Sequence, residues 1–494
     1  MNEIPHWLEK QSDLQPTNVA IEYGEHQSIS YSELREESRK LAKGLIKKGV
    51  KQGDHVAILS GNRVEFPICV HALSYIGAVV VCLNTRLSPE ELAFQLTDAD
   101  ATSFIVDTEF VEEGHKAIEL TTLNEDTLVT MDHLPKADGS ISLNDQLSLD
   151  DVFTMMYTSG TTGKPKAVMH TYGNHWFSAV ASALNLGLSA RDKWLACLPL
   201  FHVGGFSLLM KNVIYGMPIR MLARFDAEVI NNEIRHHGVT IVSVVTVMLQ
   251  RLLKDLQENS YPRSFRCMLL GGGPVPKPLL HKANERNIPV FQTYGMTETS
   301  SQIVTLSPSD ALRKIGSAGK ALAPATLKVL VGGRIAEPYE TGEIHVRGPM
   351  VSSGYYKKGH REAEYLATGD AGYLDEEGFL YVVDRVNDMI ISGGENIYPA
   401  EVESVLLGIE GVEEAGVTGM PDDEWGEVPT AFIVKKEEAD ISLEKLNEYC
   451  RGHLAPYKIP KQLFVISQLP RNASNKIVRR KLFKSVEGEH GYEH

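Results

Sequence analysis

Twenty consecutive residues, Phe66 to Thr85 (FPICVHALSYIGAVVVCLNT), carry no charge. A run of that length either spans a bilayer or is sealed inside a protein interior. His71, Ser74, Tyr75 and Asn84 would be costly in hydrocarbon, and Gly77 interrupts the run. The stretch therefore predicts a buried helix ending at Gly77, followed by a buried strand, AVVVCLN. Upstream, SISYSELREESRKLAKGLIKKGVKQGDHVAIL offers Ser30 and Glu33 as a capping box. Leu34, Leu41 and Leu45 form one apolar stripe, Gly49 stands as a left-handed C-cap, and VAIL follows as a short strand. Strand-like TLVT and IVSVV alternate with helical stretches such as DAEVINNEIRHHG, and that alternation predicts an α/β fold with parallel sheets and crossover helices.

At 494 residues the chain exceeds what one hydrophobic core supports, so two or three domains are expected. Between Pro324 and Asp384 the texture changes to short glycine-broken runs, TLKVLVGGRI, GEIHVRG and GYLDEEGFLYVVDR, which predict antiparallel strands in a small barrel or sheet. Beyond DRVNDMIISGGENIYPAEVESVLL the pattern becomes a compact mixture of strand and helix, ending in the basic PRNASNKIVRRKLFK. The domain boundary is placed near Asp384 to Asp388. A formal charge of -15 repels nucleic acid, which is excluded as a partner. The N-terminus MNEIPHWLEKQ lacks a signal peptide's basic start and apolar core, so a cytoplasmic location is expected. Five scattered cysteines without a CxxC pair predict reduced thiols and no zinc site, and neither HHG at His236 and His237 nor the terminal GEHGYEH has zinc-ligand spacing.

The stretch YTSGTTGKPKAV follows the apolar strand VFTMMY. Glycines Gly160 and Gly163 expose backbone N–H groups, Thr158, Ser159, Thr161 and Thr162 add hydroxyl donors, and Lys164 and Lys166 add charge, a combination suited to phosphates. Its spacing is not that of a P-loop, because the two glycines are too close and Pro165 occupies the place of a magnesium-binding hydroxyl. A kinase or motor ATPase is disfavoured.

TSGTTGKPKAV, YGMTE (Tyr294 to Glu298), TGD (Thr368 to Asp370), the DRVNDMIISGGENIYPAEVE block and NKIVR, in that order, resemble the adenylate-forming superfamily of acyl-CoA synthetases, peptide-synthetase adenylation domains and luciferases. The resemblance spans essentially the whole chain. It implies a large N-terminal domain, residues 1–384, of two parallel α/β subdomains and a β-barrel-like subdomain, followed by a small mobile α+β domain, residues 385–494. It also implies two half-reactions: a carboxylate joins the α-phosphate of ATP with loss of pyrophosphate, and a thiol then displaces AMP. The residues carried over are Lys476 bridging carboxylate and phosphate, Thr297 beside the α-phosphate, Glu298 holding Mg2+ through the phosphates, and Tyr294 against adenine. Gly271, Gly272, Gly273 and Gly295 allow close approach of the base and acyl group, and Asp370 and Arg385 bind the ribose. Gly393 and Gly394 line the CoA tunnel, Asn387 is the pivot, and His202 gates the acyl pocket. Two positions depart from the pattern: Asn475 stands where most relatives have glycine, and Asn387 where they have Asp or Lys.

Within the superfamily, GNHWFSAVASALNLGL, LPLFHVGGFSLLMKNVIYGM, LLGGGPVP, YGMTETSSQIVTLSP and LPRNASNKIVRRKL are most similar to the branch that activates o-succinylbenzoate for menaquinone synthesis. ATP, Mg2+, CoA and that acid are the implied cofactors and partners. Lys211 interrupts an apolar run, so it either snorkels at a helix surface or points inward to an anion. An inward Lys211 would suit the second carboxylate of o-succinylbenzoate, with Ser301 and Gln302 adding polar contacts. The alternatives are a ligase for another aryl or medium-chain fatty acid, a nucleotide-binding protein without chemistry, and a carrier-protein synthetase. The last is disfavoured because no carrier segment follows NKIVRRKLFK. Oligomeric state, homo-oligomer or monomer, is left open.

Overall fold

The computed structural model describes the chain outside residues 1–2, 159–164, 273–274, 308, 312, 360, 362, 386–387, 393–394, 423–424, 452, 473–475 and 484–494. The uncharged run folds as expected. The helix Glu65–Ile76 is buried from Phe66 to Ile76, stops at Gly77 in the left-handed region (φ 76°), and passes into the wholly buried strand Val79–Leu83. Among the described residues no helix is long and apolar enough to cross a membrane. The helix Tyr31–Lys47 begins with the Ser30/Glu33 capping box, and Gly49 (φ 102°) closes it, its N–H donating to Ile46 while Val50 N–H donates to Leu45.

Two large sheets form the body of the molecule. The first, among the described residues, has six strands in the spatial order Lys166–Thr171, Val152–Thr158, Val79–Leu83, His55–Leu59, Ser103–Val106 and Leu128–Thr130. All its ladders are parallel except the antiparallel first pair. The second has nine strands. Its parallel centre runs through Val290–Met296, Cys267–Leu270, Ile241–Val244, Trp194–Ala196, Ile219–Met221 and Val19–Tyr23, with antiparallel strands at both edges. Because side chains alternate along a strand, one strand serves two cores. Val56 and Ile58 join the core between the two sheets, while Ala57 and Leu59 face the opposite layer; likewise Cys267 and Leu269 face inward and Met268 and Leu270 outward.

The glycine-broken region folds as an antiparallel sheet ordered Arg334–Ile335, Thr326–Val331, Gly342–Arg347, Leu366–Leu374, Leu380–Arg385. Its edge strands are not laddered to one another among the described residues, so it is an open sheet, and Ile344, Val346 and Leu380 pack it on Ile303 and Val304 of the large sheet. The last module has its own core, including Ile397, Val402, Leu406, Val417, Ala431 and Leu446. That core lies between the helices Pro399–Leu406 and Leu443–Arg451 and a sheet built on the long antiparallel pair Val412–Asp422 and Gly426–Lys435. All five cysteines are free and buried.

Candidate active site

Thr158 and Lys166 are paired at the base of an antiparallel hairpin. The residues between them that the sequence singles out, Ser159, Gly160, Thr161, Thr162, Gly163 and Lys164, lie outside the described residues. The motif is therefore carried by a strand pair, and a helix dipole plays no part at its base. Lys166 Nζ sits 5.4 Å from the centre of the Tyr355 ring, and the Tyr355 hydroxyl donates to Glu298 Oε1 at 2.9 Å. One tyrosine thus joins the base of this hairpin to the YGMTE segment.

That segment leaves the strand Val290–Met296, makes a single 3-10 turn over Thr297–Thr299 and returns as Ser301–Thr305. Ser300 and Ser301 both take positive φ, 54° and 110°, conformations that cost free energy in non-glycine residues and must be held from outside. Ser178 donates to the Ser300 carbonyl at 2.8 Å, and Ser300 Oγ donates to Met350 O at 2.9 Å. Gly295 is needed for packing, since a Cβ there would lie 1.9 Å from the Ser301 carbonyl oxygen. Glu298 is 8% exposed and one of its oxygens is taken by Tyr355. Among the described residues no cluster of three or more His, Cys, Asp or Glu could hold a metal unaided. A lone, anchored carboxylate fits Mg2+ that arrives on phosphates, which asks little more of the protein.

Asp370 meets this segment through Tyr294. Tyr294 Oη donates to its Oδ2 at 2.7 Å, and Arg385 Nε lies 2.7 Å from its Oδ1. Burial and the Asp370 charge push the Tyr294 hydroxyl's pKa up, so it remains a donor. Lys476, although on the small module and exposed, reaches the electrostatic field of Asp370, Glu298, Arg385 and His202. Crowding by protein in this cleft holds its ammonium below the usual lysine range; Arg385 adds to the effect, and the two carboxylates oppose it. Burial lowers His202 to about 4, with Arg86 and Lys476 adding to the shift. Arg479 ties the small module to Asp384 near the end of the strand Leu380–Arg385. Its guanidinium clasps Glu403 through two nitrogens (3.0 and 2.9 Å) and reaches Asp388 (2.7 Å) and Asp384 (3.2 Å), while Asp384 also accepts from Ala400 N–H.

Lys211 points inward. It is 1% exposed on the helix Val203–Tyr215, donates to Gln302 Oε1 at 3.1 Å and stands 4.8 Å from the centre of the Trp194 ring. Among the described residues its contacts are neutral. Burial pushes its pKa down to about 7. Gln302 is itself fixed by Ser182 and Thr305, and it pairs across the sheet with Gly295 of YGMTE, which places Lys211 beside that segment. Gly271 and Gly272 stand at the end of the strand Cys267–Leu270. A Cβ on Gly271 would meet Thr293 Cγ2 at 2.9 Å, and Gly272 takes φ 88°. Gly273, Asn387, Gly393, Gly394 and Asn475 fall outside the described residues. Tyr355, Trp194 and Arg479 were not singled out in the sequence: their partners lie 57, 17 and up to 95 residues away, and no local pattern announces them.

The carboxylate-bearing turn, the carboxylate beside an arginine and the lysine from a second module agree with the adenylate-forming class that the order of the motifs resembles. The chain belongs to the AMP-binding enzyme family, whose model matches residues 8–356, with the family's C-terminal domain matching residues 401–476. It is 55% identical over 490 residues to a 2-succinylbenzoate–CoA ligase of Oceanobacillus iheyensis, covering 97% of this chain and 99% of that one. Among solved structures it is similar to o-succinylbenzoate CoA synthetase from Bacillus subtilis in complex with the acyl-adenylate intermediate (47% identity, TM-score 0.92, 98% of each chain). The same enzyme with ATP and magnesium ion matches at 47% identity and TM-score 0.91, over 97% of this chain and 100% of that one.

Proposed function

We propose that this chain joins o-succinylbenzoate to CoA at the expense of ATP, through an acyl-adenylate, releasing pyrophosphate and AMP and serving menaquinone synthesis. The observation that carries the acid assignment is Lys211, a buried ammonium with neutral neighbours. A charge so placed is costly unless an anion completes it, and o-succinylbenzoate retains one carboxylate when the other is activated. Full-length similarity to ligases of that acid supports the same reading.

In the first step the succinyl carboxylate oxygen attacks the α-phosphorus as the bond to pyrophosphate breaks. Both partners are anions, so fixed cations matter most where charge moves in the transition state. We assign that role to Lys476, with Thr297 beside the α-phosphate. The hairpin residues Thr158 to Lys164, with Lys166, hold the remaining phosphates. Glu298, anchored by Tyr355, would hold Mg2+, which when bound offsets polyphosphate charge. Asp370 and Arg385 orient the ribose, and Tyr294, Gly272, Gly273 and Gly295 frame the base. In the second step the CoA sulfur attacks the acyl carbon and AMP leaves. For this we place Gly393 and Gly394 on the thiol's path, Asn387 at the pivot between residues 1–384 and 385–494, and His202, Gly271, Lys211 and Ser301 around the acyl group. We place the reaction in the cytoplasm, where ATP and CoA are supplied.

The test is pyrophosphate release with ATP and Mg2+ across o-succinylbenzoate, benzoate and octanoate, with and without CoA. Selective turnover of o-succinylbenzoate, with its CoA thioester identified by mass, is expected; preference for benzoate or octanoate would discard the acid assignment.

A further inference from the structure

The two strands of the phosphate hairpin and the helix Tyr172–Leu186 enclose three polar side chains that neither step uses: Thr154, His170 and His175. Thr154 and His170 are wholly buried and His175 is 2% exposed. Thr154 Oγ1 lies 3.1 Å from His170 Nδ1 and 2.9 Å from His175 Nε2, and His170 Nε2 lies 2.6 Å from the carbonyl oxygen of Thr297.

Chemistry fixes where the protons sit. A carbonyl only accepts, so His170 Nε2 carries hydrogen. The ring has no carboxylate among its hydrogen-bond partners, and its aromatic neighbour is His175, itself packed against Phe153 and Phe206. It is therefore neutral, and Nδ1 is a bare lone pair. Burial supports this, holding His170 near 4 and His175 well below the usual imidazole range. The single Thr154 proton must then go to His170 Nδ1, which leaves the Thr154 oxygen to accept from His175 Nε2–H. Every donor points the same way, from His175 through Thr154 and His170 to the Thr297 carbonyl. That carbonyl also accepts from Ser300 N–H at 3.1 Å.

We infer that His175, Thr154 and His170 are positioning residues that hold the Thr297–Glu298 turn for acyl-adenylate formation and not for thiol transfer. The inference rests on the assignment of Thr297 and Glu298 to the phosphates. Thr154→Val keeps the shape and removes the hydroxyl, leaving the chain broken in the middle; Thr154→Ser restores it. Acid-dependent exchange of pyrophosphate into ATP reads the first half-reaction, and CoA transfer from preformed acyl-adenylate reads the second. For Thr154→Val, exchange is expected to fall about tenfold or more, the loss of a buried hydrogen-bond link, while transfer stays within about twofold; Thr154→Ser is expected to exchange as the parent does. No loss of exchange, or equal loss in both half-reactions, would overturn the proposal.

A second reading needs no variant to fold. Imidazole nitrogen-15 spectra of the unaltered protein are expected to show His170 and His175 as Nε2–H tautomers, and an Nδ1–H ring or an imidazolium at His170 would equally overturn it. Should the unaltered enzyme ignore o-succinylbenzoate, the acid assignment fails on its own. The Thr154 comparison is then made with whichever acid of the panel it activates.

Discussion

In the reaction proposed above, Lys211 and Lys476 put positive charge into one site from two different regions. Lys211 is locked in the interior of the large module between Gln302 and Trp194, whereas Lys476 stays exposed on a segment of the small module and feels the fields of Asp370 and Glu298. A cation fixed in the core is expensive to the fold and held in place through both steps, which suits recognition of a charge that never changes during the reaction. A cation carried on another module costs the fold little and can be present for one step only, which suits a charge that exists only in a transition state.

The largest expected effect belongs to the cation on the small module. Lys476→Ala should lower acid-dependent pyrophosphate exchange by about 100- to 1000-fold, the scale of losing one transition-state donor, with the melting temperature unchanged. A comparable fall in CoA transfer from preformed acyl-adenylate would erase the distinction between the two lysines. Next comes the fixed cation: Lys211→Ala should raise KM for o-succinylbenzoate by roughly one to two orders of magnitude, a charge-assisted hydrogen bond of about 1.5–3 kcal/mol, with kcat little changed. Lys211→Met should at the same time stabilise the protein by about 1–4 kcal/mol, seen as a higher denaturant midpoint. An unchanged or lower midpoint would mean that Lys211 is not a burden to the fold.

Proton binding sharpens the same contrast. Free Lys211 loses its proton near pH 7, so kcat/KM for the dicarboxylate should fall by about tenfold per pH unit above that point, since this ratio reports the free enzyme. Lys211→Arg should flatten the fall. An unfolded chain keeps its lysine protonated to about pH 10.4 and the folded one only to about 7. Between those values the unfolded state binds more protons, and stability should rise with pH in a way that Lys211→Met abolishes. The smallest effect is expected for Tyr355→Phe, which frees one oxygen of Glu298: about tenfold on kcat/KM for ATP, the lower end for one hydrogen bond to a charged group.

What the sequence revealed and what it hid follow from the range of the interactions. The buried helix before Gly77, the capping box at Ser30 and the Gly49 stop depend on neighbours a few residues apart, and they are legible as spacing. The ordered motifs placed Lys476, Asp370, Glu298 and Arg385 in one chemistry, and the fold brings their fields together. Lys211 was readable only as an interruption; whether it faced water or the interior was decided by Gln302, 91 residues on, and by Trp194 on another strand. The open sheet after Pro324 could be read as antiparallel but not as unclosed, because closure depends on which edges meet. Tyr355 gave no signal, since either tyrosine of SSGYYKKG looks like any loop residue until Glu298 is placed beside the first.

The five buried cysteines carry one further consequence. An acyl-adenylate is a mixed anhydride that acylates any accessible thiolate, and this chain holds it until CoA arrives. Burial pushes Cys450 up to about 11, Cys197 up to about 12 and the other three higher still, so none is ionised or accessible while the anhydride waits. The sulfur of the co-substrate is then the only one in competition for the acyl carbon. After many turnovers the intact protein should weigh what it did before, without an acyl or CoA adduct on any cysteine; a peptide bearing either would mark a thiol the fold had failed to withhold.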